Sequence, residues 1–387
     1  MAEQFLHGVE VIEIDDGSRP ITTVKSSVIG LVGTAPAADD AKFPLNTPVL
    51  IAGKRTEAAA LGSQGTLPGA IDGIFDQVGA MVVVIRVAEG ASDNETIANV
   101  IGGVDEVTGQ YNGVHALLGA ESVVHVTPRI LVAPGFTNHV AVVSEVLGIA
   151  DRLRAVIIAD GPNTNDSAAI TYREGFGSDR VFVVDPWVTV FDTVSALNVL
   201  QPASGRIAGL IARSDNERGF WWSPSNQEIY GITGTARPVD FTLGDVNARA
   251  NYLNENEVAT IIRQDGYRLW GNRSCSSDPK WAFLSVRRTA DMINDSLQRA
   301  HLWAVDRNIT QTYTEDVVSG VNAYLRELKA LGAILGGECW ADPELNTPAS
   351  VQKGLVYFDF DFCPPYPAEH IVFRSRLNND YIEEVFN

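Results

Sequence analysis

Between residues 27 and 214, short apolar runs recur with helical stretches between them, and this alternation restricts the fold more than any other feature of the chain. The runs are VIGLVGTA (28–35), PVLIAG (48–53), MVVVIRVA (81–88), RILVAP (129–134), AVIIAD (155–160) and RVFVVDP (180–186). They are too uniformly apolar to have a wet face and too short for helices, so they read as strands buried on both sides. Residues 67–80, 138–153 and 165–176 carry helical patterns, with Pro68 placed for a first turn. Strand and helix in alternation predict a doubly wound parallel α/β sheet. Residues 89–128, with Gly102, Gly103 and Gly109, read as a loop or small insertion. None of the runs can cross a bilayer: the strongest, 81–88, is short and carries Arg86. The N-terminus, MAEQFLHGVEVIEIDD, lacks the basic start and apolar core of a secretory signal.

A sheet of this kind invites a nucleotide-binding hypothesis, and the phosphate loop should then follow the first strand. The sequence there is GTAPAADD, with one glycine and two consecutive acids that would repel phosphate. No G-x-x-x-x-G-K-[ST], G-x-G-x-x-G or G-x-S-x-G occurs, and the six histidines form no H-x-x-x-H pair. Asp160 and Asp185 end strands where such folds bind ligands, but each precedes a Pro or Gly-Pro turn, which is the simpler role. Asp359 and Asp361 share one strand face in YFDFDF and read as its wet side. His301 reads as a structural histidine. No catalytic, cofactor or metal set is therefore expected. Cys275, Cys339 and Cys363 are widely spaced, which argues against a disulfide framework and fits a reducing compartment. The net charge of −19 disfavours direct nucleic-acid binding. Residues 261–330 depart from that balance, with ten Lys/Arg against eight Asp/Glu. These arginines either face an acidic partner or pair with local acids.

Both chain ends read as extended arms. Residues 5–24 are β-branched and have no helix beside them to cover Val9, Val11, Ile12, Ile14, Ile21 and Val24. The alternation slips at Val11-Ile12, as a bulge would produce. Residues 219–245, rich in Gly, Pro, Trp and Ser, read as a connecting segment in which Trp221 and Trp222 need cover. The stretch 251–288 combines Arg263, Arg268 and Arg273 with Trp270 and Trp281, the residue types that anchor interfaces, and reads as an assembly element. Helices follow over 289–307 and 315–331. The second has a stripe of Val317, Val321, Tyr324, Leu328 and Leu331, with Asn322, Arg326 and Lys329 outside it. Strands are expected at 333–341 and 354–363. HIVFRSRLN (370–378) then alternates Ile371, Phe373, Ser375 and Leu377 against Val372, Arg374 and Arg376, and the tail carries Tyr381, Ile382, Val385 and Phe386. The expected division is an N-terminal arm (1–26), an outer inserted α/β region (27–218), the connecting segment (219–245), an inner α+β domain (246–377) and a C-terminal arm (378–387).

GFWWSPSNQEIYGITGTARPVDF, NYLNENEVATIIRQDGYRLWGNRSCSSDPKWAF and HLWAVDRNITQTYTEDVVSGVNAYLRELKALGAI resemble tail sheath proteins of contractile phages and R-type pyocins. FLHGVEV, SSVIGLVGTA, LVAPG and DGPN agree, so the resemblance covers most of the chain. It implies a structural subunit without a cofactor. Hexameric rings would stack as a helical sheath around a tail tube protein, between baseplate and tail terminator proteins. The sheath would be assembled in the host cytoplasm in an extended state and contract irreversibly to drive the tube through an envelope. The terminal arms would add strands to neighbouring subunits, with Arg326 and Lys329 as candidates to face the tube. Membrane insertion is not implied. The competing expectation is an α/β enzyme holding a nucleotide-like ligand, and a static capsid or tube protein is a third.

Overall fold

The computed structural model describes residues 21–193 and 195–386. Its strands are β1 (Ile29–Thr34), β2 (Val49–Ala52), β3 (Met81–Val87), β4 (Ile130–Val132), β5 (Val156–Asp160), β6 (Val181–Val184), β7 (Val188–Asp192), β8 (Leu197–Gln201), β9 (Val258–Arg263), β10 (Tyr267–Trp270), β11 (Gly336–Ala341) and β12 (Phe358–Cys363). The main helices are α1 (Leu67–Phe75), α2 (Asp93–Ile101), α3 (Val140–Leu153), α4 (Asp166–Glu174), α5 (Ser204–Arg218), α6 (Leu284–Ala300) and α7 (Gln311–Ala330).

Eight strands form one sheet in the order β10-β9-β6-β5-β4-β1-β3-β2, parallel from β9 to β3 with an antiparallel strand at each edge. The chain leaves β1 toward β3 and then returns to β4 on the other side, which is the doubly wound pattern. Alternate residues of each strand enter opposite cores. Ile29, Leu31, Val82, Val84, Ile158 and Phe182 meet α1 and α5, while Val83, Ile85, Leu131, Ile157 and Val183 meet α2, α3 and α4. Helices α1 and α5 approach so closely that a Cβ on Gly209 would stand 2.7 Å from the Ile74 carbonyl oxygen.

Three expectations change. Residues 89–128 are not an open loop: α2 and a 3-10 turn at Gly113–Gly119 bury Val100, Val114, Ala116 and Leu117 in the core. Residues 258–270, expected in the inner domain, supply β9 and β10, because Val258 and Ala259 pair in parallel with Val183 and Val184 of β6. Residues 219–245 are woven into the fold rather than linking two parts. Asn226 and Ile229 donate backbone hydrogen bonds to Leu269 and Tyr267, and Gly234–Thr235 pairs with β7. These pairings are long-range, and local composition does not encode them.

The C-terminal part packs α6, α7 and the β11–β12 hairpin around Met292, Ile293, Val321, Tyr324, Leu325, Leu328 and Cys339. Helix α7 begins where Thr310 accepts the Tyr313 N–H, and it ends a residue earlier than expected. Leu331 is therefore exposed, and Leu325 takes a place in the stripe. Ile21 and Val24 also change role. Ile21 is buried in this core, Val24 packs on it and donates its N–H to Ser296 Oγ (3.1 Å), and Thr23 bonds Tyr324 (2.9 Å). They anchor an arm to its own chain rather than reach out.

Helix α6 joins the two parts through buried ion pairs. Asp295 pairs with Arg129, Asp291 with Arg180 (2.6 Å) and Arg287 (2.9 Å), and Arg288 with Asp215 (2.5 Å). Arg129 and Arg180 stand just before β4 and β6, so α6 lies across the N-terminal end of the sheet. Of the ten Lys/Arg in 261–330, Arg273, Arg287, Arg288 and Arg299 are ion-paired within the molecule, mostly to acids distant in sequence.

Candidate functional site

In a doubly wound sheet, ligands enter a crevice at the C-terminal strand ends beside the switch point. Here that crevice is filled by the chain's own loops. Gly65, at φ +87°, sits so close over β1 that a Cβ would stand 2.3 Å from the Thr34 carbonyl, and the Thr34 N–H donates to Thr66 Oγ1 (3.1 Å). Asp160 is wholly buried and ties β5 to α5. Its carboxylate accepts the Ser204 N–H (2.8 Å), the Ser204 hydroxyl (2.6 Å) and the Thr137 hydroxyl (3.2 Å). Burial pushes its pKa up to about 6. Asp185 is buried against Arg237 and accepts the Asn163 N–H (2.8 Å). Both aspartates are cross-links, a stronger structural role than turn formation. His301 bonds the Leu297 carbonyl (2.7 Å), as a structural histidine would. Among the described residues no three His, Cys, Asp or Glu side chains gather as metal ligands. No helix among them is long and apolar enough to cross a membrane.

The unfinished part of the molecule lies elsewhere. In the β11–β12 hairpin, Glu338 faces Asp361, Trp340 faces Asp359, and Cys339 faces Phe360. Period-two alternation sends Cys339, Phe358, Phe360 and Phe362 toward the core of α7, and Glu338, Trp340, Asp359 and Asp361 outward. Asp359 and Asp361 are thus on the wet face, as expected. A hydrogen bond to the Asp342 carboxylate raises the Asp359 carboxyl above its ordinary value.

The two edges of this hairpin differ. The Asn322 amide on α7 donates to the Cys339 carbonyl (2.8 Å) and accepts the Cys339 N–H (2.8 Å). One side chain thereby makes both bonds that a further strand would make to Cys339. Because Cys339 points its backbone groups away from β12, its opposite residue Phe360 points its own away from β11, as do Phe358 and Phe362 by the same parity. No backbone partner meets these groups among the described residues.

Beyond β12 the chain leaves the body. Tyr366 sets its ring edge-on to Phe283 at 6.2 Å, and Glu369 forms a two-pronged ion pair with Arg273 (2.6–3.0 Å). Residues 370–378 then form neither helix nor sheet, with Ile371 66%, Phe373 91% and Leu377 94% exposed. A 3-10 turn at Asn379–Phe386 follows, with Tyr381 and Ile382 exposed. Val9, Val11, Ile12 and Ile14 lie outside the described residues, as do the side chains of Val385 and Phe386.

Arg326 and Lys329 are exposed on α7 and have no ion-pair partner among the described residues. The Arg/Trp stretch, by contrast, mostly serves its own chain. Arg268 donates to the Gln264 and Asn226 carbonyls, Trp281 lies under Arg287 (4.4 Å), and Trp270 packs on Phe241. Arg273 alone touches the candidate interface, by holding the root of the tail. Sequence reasoning missed Asn322 and Glu369. A single polar residue beside an apolar stripe gives no sign of which distant backbone it will cap.

Comparisons agree over the whole chain. The model for the phage tail sheath protein central domain matches residues 109–275, that for the phage tail sheath C-terminal domain matches 276–378, and that for the N-terminal region of domain III of tail sheath protein Gp18 matches 26–87. A putative prophage major tail sheath protein of Pseudomonas aeruginosa (strain UCBPP-PA14) is 44% identical over 383 residues, covering 99% of each chain. The tail sheath protein of Escherichia phage P2 is 40% identical over 387 residues, covering 98% of this chain and 97% of that one. Among solved structures, the helical sheath of the anti-feeding prophage in its contracted state superposes with a TM-score of 0.72 at 20% identity, over 97% of this chain and 100% of that one. This chain belongs to the phage tail sheath protein family.

Proposed function

We propose that this protein is the repeating subunit of a contractile tail sheath, and that its terminal segments build the polymer by pairing with neighbouring copies. The observation that carries the reading is the apolar, alternating segment 370–378, which stands exposed in a chain whose hairpin has an edge unfilled among the described residues. An exposed edge and an unpaired strand-like segment satisfy each other through backbone hydrogen bonds. In this reading Val9, Val11, Ile12 and Ile14 act with Tyr381, Ile382, Val385 and Phe386 as intersubunit residues. Arms joined covalently to each body can stay paired while the bodies rotate between two packings. The sheath is then a stack of hexameric rings around a tail tube, joined to a baseplate at one end and a terminator at the other. The inner region near α7 meets the tube, with Arg326 and Lys329 as reversible polar contacts. The particle's tail is the site of action, and assembly takes place in the host cytoplasm.

The nucleotide-binding alternative has no support. The related proteins are structural tail components, and the crevice that would hold a ligand is occupied by Asp160, Ser204 and Thr137.

Removing residues 370–387 tests the reading. The shortened chain should keep the circular dichroism and melting behaviour of the full chain yet form no tubes by sedimentation and negative-stain microscopy. Normal tubes from the shortened chain would overturn it.

A further inference from the structure

We propose that an ordered row of charges on α6 keys the C-terminal part to the α/β sheet, fixing one register and one angle between them. The proposal is about the subunit itself, and it rests on the sheath reading only for its consequence in the polymer.

The row follows from spacing. Residues four apart share a helix face, so Arg287, Asp291, Asp295 and Arg299 line up along α6. In order, their charges are positive, negative, negative, positive. Each meets its opposite on the sheet side. Arg287 pairs with Asp179 (3.2 Å), Asp291 with Arg180 (2.6 Å), Asp295 with Arg129, and Arg299 with Glu121 (3.4 Å). The receiving row is therefore negative, positive, positive, negative. Its central members also donate to backbone carbonyls, Arg180 to Ala155 (3.1 Å) and Arg129 to Leu153. Those bonds fix where the two guanidinium groups stand.

Sliding α6 by one turn, about 5.4 Å, shows what the order does. One slide sets Asp291 against Asp179 and Arg299 against Arg129, and leaves only Asp295 with Arg180 attractive. The opposite slide sets Arg287 against Arg180 and Asp295 against Glu121, and leaves only Asp291 with Arg129. Had each row carried a single sign, three of the four pairs would survive either slide. Burial points the same way. Arg129 is 3% and Asp291 1% exposed, and apolar residues of similar size often stabilise such a site as well as an ion pair does. What the pairs add is direction. Helix α6 places Leu284 in the core of the sheet and Met292 and Ile293 in the core of the C-terminal part, so its setting decides how the two parts sit. In a polymer every copy repeats that setting, and a loose seam would spread as irregular helical order.

Replacing the two central pairs in the full-length chain tests the proposal. The variant carries Arg129→Met, Asp295→Leu, Arg180→Met and Asp291→Leu. Spin labels on Ser144→Cys in α3 and Ala330→Cys in α7, both exposed positions, report the distance across the seam by pulsed dipolar spectroscopy in a Cys363→Ser background. The native charge row should give one narrow distance. With a cooperative melt retained, the apolar variant should give a distribution that broadens or splits by about 5 Å, one helical turn. A single narrow distance in the variant would overturn the proposal. Where the four substitutions prevent folding, Arg287→Glu with Arg299→Glu takes their place. The helix row is then negative throughout. The native register keeps two attractive contacts against two repulsive ones, while each slid register has two against one, so the same split is expected. One unchanged distance would again overturn the proposal. Tubes of the split variant should lose uniform helical order, and uniform tubes would overturn the consequence for the polymer. An unsplit distance sinks this inference alone, whereas a native sequence that forms no tubes sinks the sheath reading alone.

Discussion

The eight-stranded sheet and the two-stranded hairpin deal with their edges in opposite ways. In the large sheet, β2 is four residues long, and the β10 edge is covered by residues 226–229 through bonds to Leu269 and Tyr267. Both faces are packed, and the crevice at the switch point is cross-linked shut. In the hairpin a single side chain caps Cys339 on one edge, the other edge has no backbone partner among the described residues, and the tail that follows exposes Ile371, Phe373 and Leu377. Soluble proteins normally blunt such edges. If a partner takes the second edge, as proposed, stability and assembly lie in separate regions.

That separation can be attacked directly. The largest stability effect should come from the finished sheet: Phe182→Ala empties the centre of a core and should cost about 3–5 kcal/mol by denaturant titration. Phe373→Ala should change stability by less than about 0.5 kcal/mol while weakening tube formation. A large stability loss at Phe373 would break the comparison. The seam between the regions comes next. Arg288→Met alone strands Asp215 in a buried site and should cost about 3–5 kcal/mol, with most of the loss recovered by adding Asp215→Leu. At the β11 edge, Asn322→Ala frees the Cys339 N–H and carbonyl and should cost about 1–3 kcal/mol.

The smallest effect is on pH dependence. Asp160 has its folded pKa raised to about 6 from an ordinary value near 3.8, so the folded state binds the proton more tightly than the unfolded chain. Its contribution is fully present below about pH 4 and is lost as pH rises through about 6. Asp166 works in the other direction, because Arg249 and Arg237 lower its pKa and its contribution is lost on acidification. Asp160→Asn should therefore flatten the fall in melting temperature between pH 4 and 6. A curve unchanged from wild type would mean that this carboxyl is ionised in the fold.

How much could be read beforehand follows the same division. The strands β3 to β6 announced themselves because burial on both faces demands unbroken apolar runs, and the α7 stripe did so by its helical period. Residues 226–229 and 258–270 did not, since sheet membership there depends on partners tens of residues away. The arginines of 261–330 were ambiguous for the same reason: Arg288 next to Asp215 and Arg326 facing water look alike in a sequence. Ile21 and Val24 carried the pattern of an arm, yet their apolar side chains found a core of their own. The alternation in 370–378 has the pattern of a strand, yet among the described residues the segment forms neither helix nor sheet.

A helical reconstruction of the assembled polymer, at a resolution that traces the backbone, tests the central claim most directly. The account predicts residues 371–377 of one copy hydrogen-bonded along Phe358, Phe360 and Phe362 of another. A polymer whose tails fold onto their own bodies, or whose β12 edges stay bare, would contradict it.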